Sequence, residues 1–204
     1  MNDSIALDKD NSAWVTLAVP APPEELAEFL KSVERLFRLN PYLDIKLWDE
    51  RAGNRFHLNA LNEMNGIHYD LDIVLDTKEG MRSILRFSQG LKAALEVSVE
   101  AGSGPNNAKL TLREYYHKTE SALDEQQLKE VDHGLVPWGN GIRAYVQGMR
   151  RWGWFWPYRW YREKFWLGMR PTHRRIARML VWVTLLEFVV FLFIFVIYWL
   201  ELSR

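Results

Sequence analysis

The run Met179–Leu200, MLVWVTLLEFVVFLFIFVIYWL, constrains this chain more than any other feature. It has one charge, Glu187, and neither glycine nor proline. A helix of this length reaches about 33 Å, against a hydrocarbon layer of about 30 Å. Soluble core helices are rarely apolar on every face over such a length, so the run reads as a transmembrane helix. Tyr198 and Trp199 stand at its far end, where amphipathic rings favour the interface. Arg170, His173, Arg174, Arg175 and Arg178 precede the run and only Arg204 follows it. The excess of cations before the span predicts a single-pass, tail-anchored protein of the inner or plasma membrane, with its N-terminal part on the cytoplasmic side.

Charge divides the rest of the chain. Residues 1–149 carry 16 basic and 23 acidic side chains, and residues 150–178 carry nine basic and one acidic. The acidic bulk argues against a nucleic-acid module, whose cations would spread over the folded domain. The basic stretch points instead to an anionic surface, and the anionic headgroups of membrane lipids are the expected partner. Within it, residues 150–166 read RRWGWFWPYRWYREKFW. Trp152, Trp154, Trp156, Trp160 and Trp166, with Arg159 and Arg162, form the mixture of rings and arginines that suits a bilayer interface. Pro157, Gly168 and Pro171 predict two short helices there. Met1–Ser12 is polar with no apolar stretch, so a disordered N-terminus is expected and a cleaved signal peptide is not. The chain has no cysteine, which excludes disulfides and thiolate chemistry.

Between these lie the periodicities of a folded domain. Trp14–Val19 alternates as a strand, and Pro20, Pro22 and Pro23 end it. Leu26, Phe29, Leu30, Val33 and Leu36 follow at helical spacing, up to Asn40-Pro41. Six further strands are predicted at Leu43–Trp48, Arg55–Leu61, Ile67–Leu75, Met81–Ser88, Leu91–Glu100 and Ala108–Lys118, separated by short turns such as Asn65-Gly66. Consecutive strands with short turns make an antiparallel meander. From Asp124 to Met149, apolar residues at Leu128, Val131, Leu135, Trp138, Ile142, Tyr145 and Met149 step by three and four along one helix face. Gly134, Pro137, Gly139 and Gly141 predict a kink or break near Pro137.

This order of elements, with the local text Val19-Pro20-Ala21-Pro22-Pro23-Glu24-Glu25-Leu26 and Leu39-Asn40-Pro41-Tyr42, resembles the START-like helix-grip superfamily, also called SRPBCC, on its polyketide cyclase-like branch. The resemblance covers residues 13–150. It implies an α+β fold in which a curved antiparallel sheet grips a long C-terminal helix around an apolar cavity. Members bind lipids, sterols, polyketides or hormones there, and some catalyse cyclisation. The predicted organisation is a tail at 1–12, the START-like domain at 13–150, an interfacial collar at 151–178, the span at 179–200 and a tail at 201–204.

No catalytic motif stands out. The five histidines, His57, His68, His117, His133 and His173, include no i, i+4 pair, and no glycine-rich phosphate loop has the right context. No metal or cofactor site is expected. Glu114 is in phase with Leu110, Leu112 and Tyr116, which places a carboxylate on the core face. It reads as a strand-end carboxylate paired with an arginine, or as a polar anchor or general base at the cavity mouth. Tyr69, Leu71, Ile73, Leu112, Glu114, Tyr116, Trp138, Ile142 and Tyr145 are the expected cavity residues, while His57 and Asn59 fall on the other face. Glu187 is costly in a span, by roughly 2.5 kcal/mol or more at helix centre; it reads as a contact with another transmembrane helix, in a complex or a second copy, or as a protonated glutamate or one reached by a water defect. The expected function is a non-enzymatic, membrane-anchored module that binds a hydrophobic ligand or serves as an accessory subunit. The alternative is a membrane-bound cyclase or hydrolase acting on a lipid-like substrate.

Overall fold

The computed structural model describes residues 11–117 and 134–202. Two compact units are present, the first ending at Gly168 and the second beginning at Met169. The first opens with strand β1 (Ser12–Val19), helices α1 (Pro23–Leu30) and α2 (Val33–Arg38), and strands β2 (Leu43–Arg51), β3 (Arg55–Asn62) and β4 (His68–Glu79). It continues with β5 (Arg82–Phe87), β6 (Lys92–Ala101), β7 (Ala108–Tyr116), the long helix α3 (Leu135–Trp152) and the short helix α4 (Trp156–Trp160), which runs into a π-helical turn (Tyr161–Trp166). The second unit holds helix α5 (Pro171–Leu202).

All seven predicted strands form. They make one antiparallel sheet in the order β1-β7-β6-β5-β4-β3-β2, so chain neighbours pair from β2 to β7 and β1 closes onto β7. Alternation assigns the faces. Phe56, Leu58 and Ala60 of β3, and Leu110, Leu112 and Glu114 of β7, point into the core. The opposite face is polar: Thr16 bonds Thr111 at 3.0 Å, Arg86 pairs with Asp76 at 2.9 Å, and His57 sits between Asp72 at 2.9 Å and Asp70 at 3.3 Å.

The helical stretch expected between β1 and Asn40-Pro41 forms as two short helices. Ser32 takes an extended conformation and its hydroxyl caps α2 by accepting from the Arg35 amide, which turns the chain between Leu30 and Val33. The helical pattern from Asp124 is described only from Gly134 onward. The described helix begins at Leu135, so Pro137 does not kink it, and any break before Gly134 lies outside the described residues. Pro137 lies in the first turn, where an absent N–H breaks no intrahelical bond. The glycines do not interrupt the helix either; they let it approach the sheet. A Cβ on Gly139 would lie 2.5 Å from Leu17 Cδ2, and one on Gly141 would lie 2.5 Å from the Leu39 carbonyl oxygen. With α3 this close, Leu135, Trp138, Ile142, Tyr145 and Val146 join the sheet and α1–α2 in one core.

The collar also differs from its pattern. Its first half is α4 and the π-helical turn, and Leu167 at its end is buried in the domain core. Its second half is the start of α5, where Pro171 opens the helix, as its fixed φ allows, and does not break it. Helix α5 is long and apolar enough to cross a membrane, with a mean hydropathy of 2.8 in its most apolar window.

Two predictions follow from this packing. Gly141→Ala should destabilise the domain by about 1–3 kcal/mol, because a backbone oxygen must move. Gly139→Ala should cost less, since a leucine methyl can swing aside and alanine regains about 1 kcal/mol of helix propensity. Thermal denaturation of the two variants would show equal losses if the contact with Leu39 did not matter.

The second concerns the outer face, where the Tyr115 hydroxyl donates to Glu96 Oε2 at 2.5 Å and Arg82 donates to Oε1 at 2.7 Å. Burial, reinforced by the Glu96 carboxylate, pushes the Tyr115 phenol up to about 12. Burial also raises the Glu96 carboxyl, but the bonds from Tyr115 and Arg82 and the charges of Arg82 and Arg113 outweigh it and hold its pKa below the usual value. Stability from the neutral phenol is present below the ordinary tyrosine pKa of about 10 and is lost as pH rises through about 12. Stability from the Glu96 carboxylate is present above its unfolded pKa and is lost as pH falls through the lowered folded value. Tyr115→Phe should remove the alkaline loss in a series of urea denaturations across pH; an unchanged alkaline limb would refute the assignment.

Candidate functional site

The space between sheet and long helix is largely filled by rings. Phe37 on α2 is the hub, 5.6 Å from Trp48, 6.3 Å from Phe87 and 5.4 Å from Trp138, centroid to centroid, and Trp48 packs on Phe56 at 5.5 Å. Trp138 is fixed by its indole N–H, which donates to the Leu36 carbonyl at 2.8 Å in the buried core. What remains is a cavity of about 60 Å³, room for a few waters or a small fragment. Leu58, Leu71, Phe87 and Trp138 form its apolar side, and Asn40, Asn62, Gln89, Lys92 and Glu114 its polar side.

Glu114 is 4% exposed and both its oxygens are engaged. Lys92 Nζ donates to Oε1 at 2.6 Å, and the Tyr116 hydroxyl donates to Oε2 at 3.0 Å. The partner is thus lysine and not the arginine that the strand pattern suggested. Alternation with Leu95 and Val97 would turn Lys92 to the outer face. A bulge between Lys92 and Ala94 shifts the register by one residue and re-aims the lysine inward, opposite Tyr116. Sequence alone carries no mark of that bulge.

Of the other expected cavity residues, Tyr69, Leu71 and Trp138 line the space beside Glu114. Ile73, Leu112 and Ile142 are fully buried in the core behind it and do not line it. Tyr116 reaches the site through its bond to Glu114. Tyr145 lies elsewhere, in the wall of a second groove between α1–α2 and the end of α3. Phe37, at the hub of the ring cluster, was missing from the expected set. It neighbours Leu36 in the helical pattern, but its pairing with Trp48 and Phe87 joins residues far apart in the chain.

The collar residues separate into two groups. Trp152, Trp154, Trp156, Arg159 and Trp160 are exposed. Arg162 and Trp166 pack inward: the Arg162 guanidinium lies 3.9 Å from the Trp166 centroid and 4.6 Å from that of Tyr145. Tyr158 packs where Gly148 leaves space, its hydroxyl 2.6 Å from where a Cβ would stand. Glu187 is exposed on α5, one turn before Phe191, which stacks with Phe195 at 6.4 Å; Phe195 in turn meets Trp199 at 6.3 Å. Among the described residues, no group of three or more His, Asp or Glu side chains is placed to hold a metal ion.

No family model and no curated protein matches the sequence. Solved structures do match the fold. The aromatase/cyclase ZhuI from Streptomyces sp. R1128 aligns with a TM-score of 0.54 at 14% identity, over 69% of this chain and 95% of that one. A START superfamily protein from Mycobacterium smegmatis aligns at 0.53 with 15% identity, over 68% and 98%. The protein XoxI from Bacillus cereus aligns at 0.53 with 13% identity, over 68% and 97%. The chain therefore has the START-like helix-grip fold, with an apolar helix added at its C-terminal end. Identities this low show the fold and not an activity.

The Lys92–Glu114 pair yields a test. Lys92→Met leaves a buried carboxylate with only the tyrosine bond. The expected loss is about 1–3 kcal/mol, below the ~3–5 kcal/mol of a fully buried pair because Lys92 is partly exposed. Glu114→Leu added to Lys92→Met should recover most of it. A double variant less stable than the single one in urea denaturation would show that the pair does not act as a unit.

Proposed function

We propose that this protein is a membrane-held START-like module that acts as a subunit of a membrane assembly, neither as a free ligand carrier nor as an enzyme. One observation carries the reading: the Phe37-centred rings fill the grip and leave about 60 Å³, far below the roughly 300–1,000 Å³ of sites that enclose a small molecule. A sterol or lipid has no room there. Among the described residues lining that space there is no serine, threonine or histidine, and the one carboxylate is tied to Lys92 and Tyr116. A nucleophile–base pair is therefore not assembled in it.

On this reading α5 crosses the bilayer, the arginines before Met179 hold the START-like domain on the cytoplasmic side, and the exposed tryptophans of the collar sit among anionic headgroups. The partner-facing stripe of α5 is Glu187, Phe191, Phe195 and Trp199, spaced by one turn each and exposed throughout. Polar contacts between membrane helices are worth on average ~0.6 kcal/mol, so Glu187 sets rotation and register while the rings supply contact area.

The test is the mass of the full chain extracted in mild detergent. The wild type should run with a partner subunit or a second copy. Glu187→Leu should insert normally yet shift the mass toward one chain, and Glu187→Gln should behave nearly as wild type if the contact is a hydrogen bond. A wild type that runs as a single chain, indistinguishable from Glu187→Leu, would refute the subunit reading.

A further inference from the structure

A second concavity has the dimensions that the grip lacks. It is a groove of about 770 Å³ between α1–α2 on one side and the end of α3 with α4 on the other. Its apolar wall includes Leu26, Phe29 and Met149, and four basic and three acidic side chains border it, for a net charge of +1. Most of these charges are neutralised locally: Lys31 pairs with Glu28, and Arg150 with Glu25 at 3.6 Å. Among the described residues, Arg35, Arg159 and Glu163 have no ion pair within 4.0 Å. Arg35 is held in place 5.0 Å from the Phe29 centroid, positioned by a ring and not neutralised by a carboxylate.

The groove also holds a tyrosine whose hydroxyl has no hydrogen-bond partner among the described residues. Tyr145 is 2% exposed and lines the wall, between Phe29 at 5.4 Å and the guanidinium of Arg162 at 4.6 Å. Its hydroxyl makes no hydrogen bond to any described residue. Burial raises its pKa, so at neutral pH it stands as a neutral donor in an apolar wall. An uncommitted donor and two uncommitted arginines over an apolar floor match a ligand with one anionic, acceptor-rich head and an apolar tail. The volume lies within the range of single-ligand sites. Arg159 stands in the chain between the exposed Trp156 and Trp160, so the rim continues into a ring-rich surface suited to headgroup depth.

We propose that this groove binds one glycerophospholipid, its phosphodiester held between Arg35 and Arg159 and one acyl chain laid along Leu26, Phe29 and Met149. A single phosphodiester, at −1, also offsets the net charge of the groove. The site is separate from the grip cavity and does not depend on the subunit reading, which rests on the filled grip and is tested at Glu187.

Native mass spectrometry of the full chain in neutral detergent tests it, with dioleoylphosphatidylglycerol, dioleoylglycerol and glycerophosphorylglycerol as probes. One phosphatidylglycerol should bind, at least about tenfold tighter than the uncharged diglyceride or the chainless head, because each lacks half of the recognised chemistry. Arg159→Glu and Arg35→Gln should each weaken that binding about tenfold. Arg151→Glu, an exposed cation outside the groove, should change it less than twofold. If Arg35→Gln perturbs the fold by losing its stacking on Phe29, the exposed Arg159 carries the test alone. Equal weakening by Arg151→Glu would mean diffuse attraction to the basic collar and would overturn the proposal. So would equal binding of the diglyceride or of the chainless head.

Discussion

The structure depends on how closely one helix can approach a sheet. Gly139 and Gly141 put the backbone of α3 against Leu17 and the Leu39 carbonyl, at separations that a methyl group would fill. That contact lowers Trp138 far enough for its indole to reach the Leu36 carbonyl and its ring to meet Phe37. The helix glycines carry a conformational penalty of about 1 kcal/mol each relative to alanine, which the added packing must exceed. Protein interiors pack near crystal density, so a helix seated this deep leaves little void. The small grip cavity is a consequence of the glycines as much as of the rings.

On the proposed reading, the filled grip carries no lipid-sized ligand. Helix-grip proteins share a sheet and a helix, and function lies in the groups placed between them. Here those groups are Phe37, Trp48, Phe87 and Trp138, which interlock, and Glu114, which is bound on both oxygens. A buried carboxylate held by an ammonium and a phenol is polar structure at a cavity mouth. The surfaces are less complete: exposed tryptophans after α3, an open groove beside α1, and a ladder of rings along α5 all present uncovered apolar area. These are the surfaces that the proposed contacts with lipid and with a partner helix would cover.

The collar joins two kinds of chemistry in one stretch of sequence. Arg162 and Trp166 complete a column that runs from Arg35 through Phe29 and Tyr145 to Arg162 and Trp166, with three cation–ring contacts and one ring–ring contact tying α2, α1, α3 and the π-helical turn together. Cation–ring contacts gain strength when desolvated, to about 2 kcal/mol or more, which suits a guanidinium enclosed by rings. Trp152, Trp154, Trp156 and Trp160, from the same run of residues, remain outside. Composition could not separate the two groups, because an arginine and a tryptophan serve a stacked column and a membrane surface equally well.

The sequence by itself determined the seven strands, the order of elements and the apolar helix. Strand alternation and a 22-residue apolar run are local patterns, and local patterns follow from the chain's own period. It also determined that Glu114 faces the core, from phase alone. Only the tertiary structure decided which cation meets it, since a single-residue bulge at Lys92 reverses a face without altering the composition. It alone decided that Gly139 and Gly141 mark close approach and not a broken helix, because the partner atoms come from β1 and from the residue after α2, far away in sequence. It decided as well that Tyr145 belongs to a groove and not to the grip. A helix has several faces, and which of them meets the sheet and which meets its neighbouring helices is set by packing.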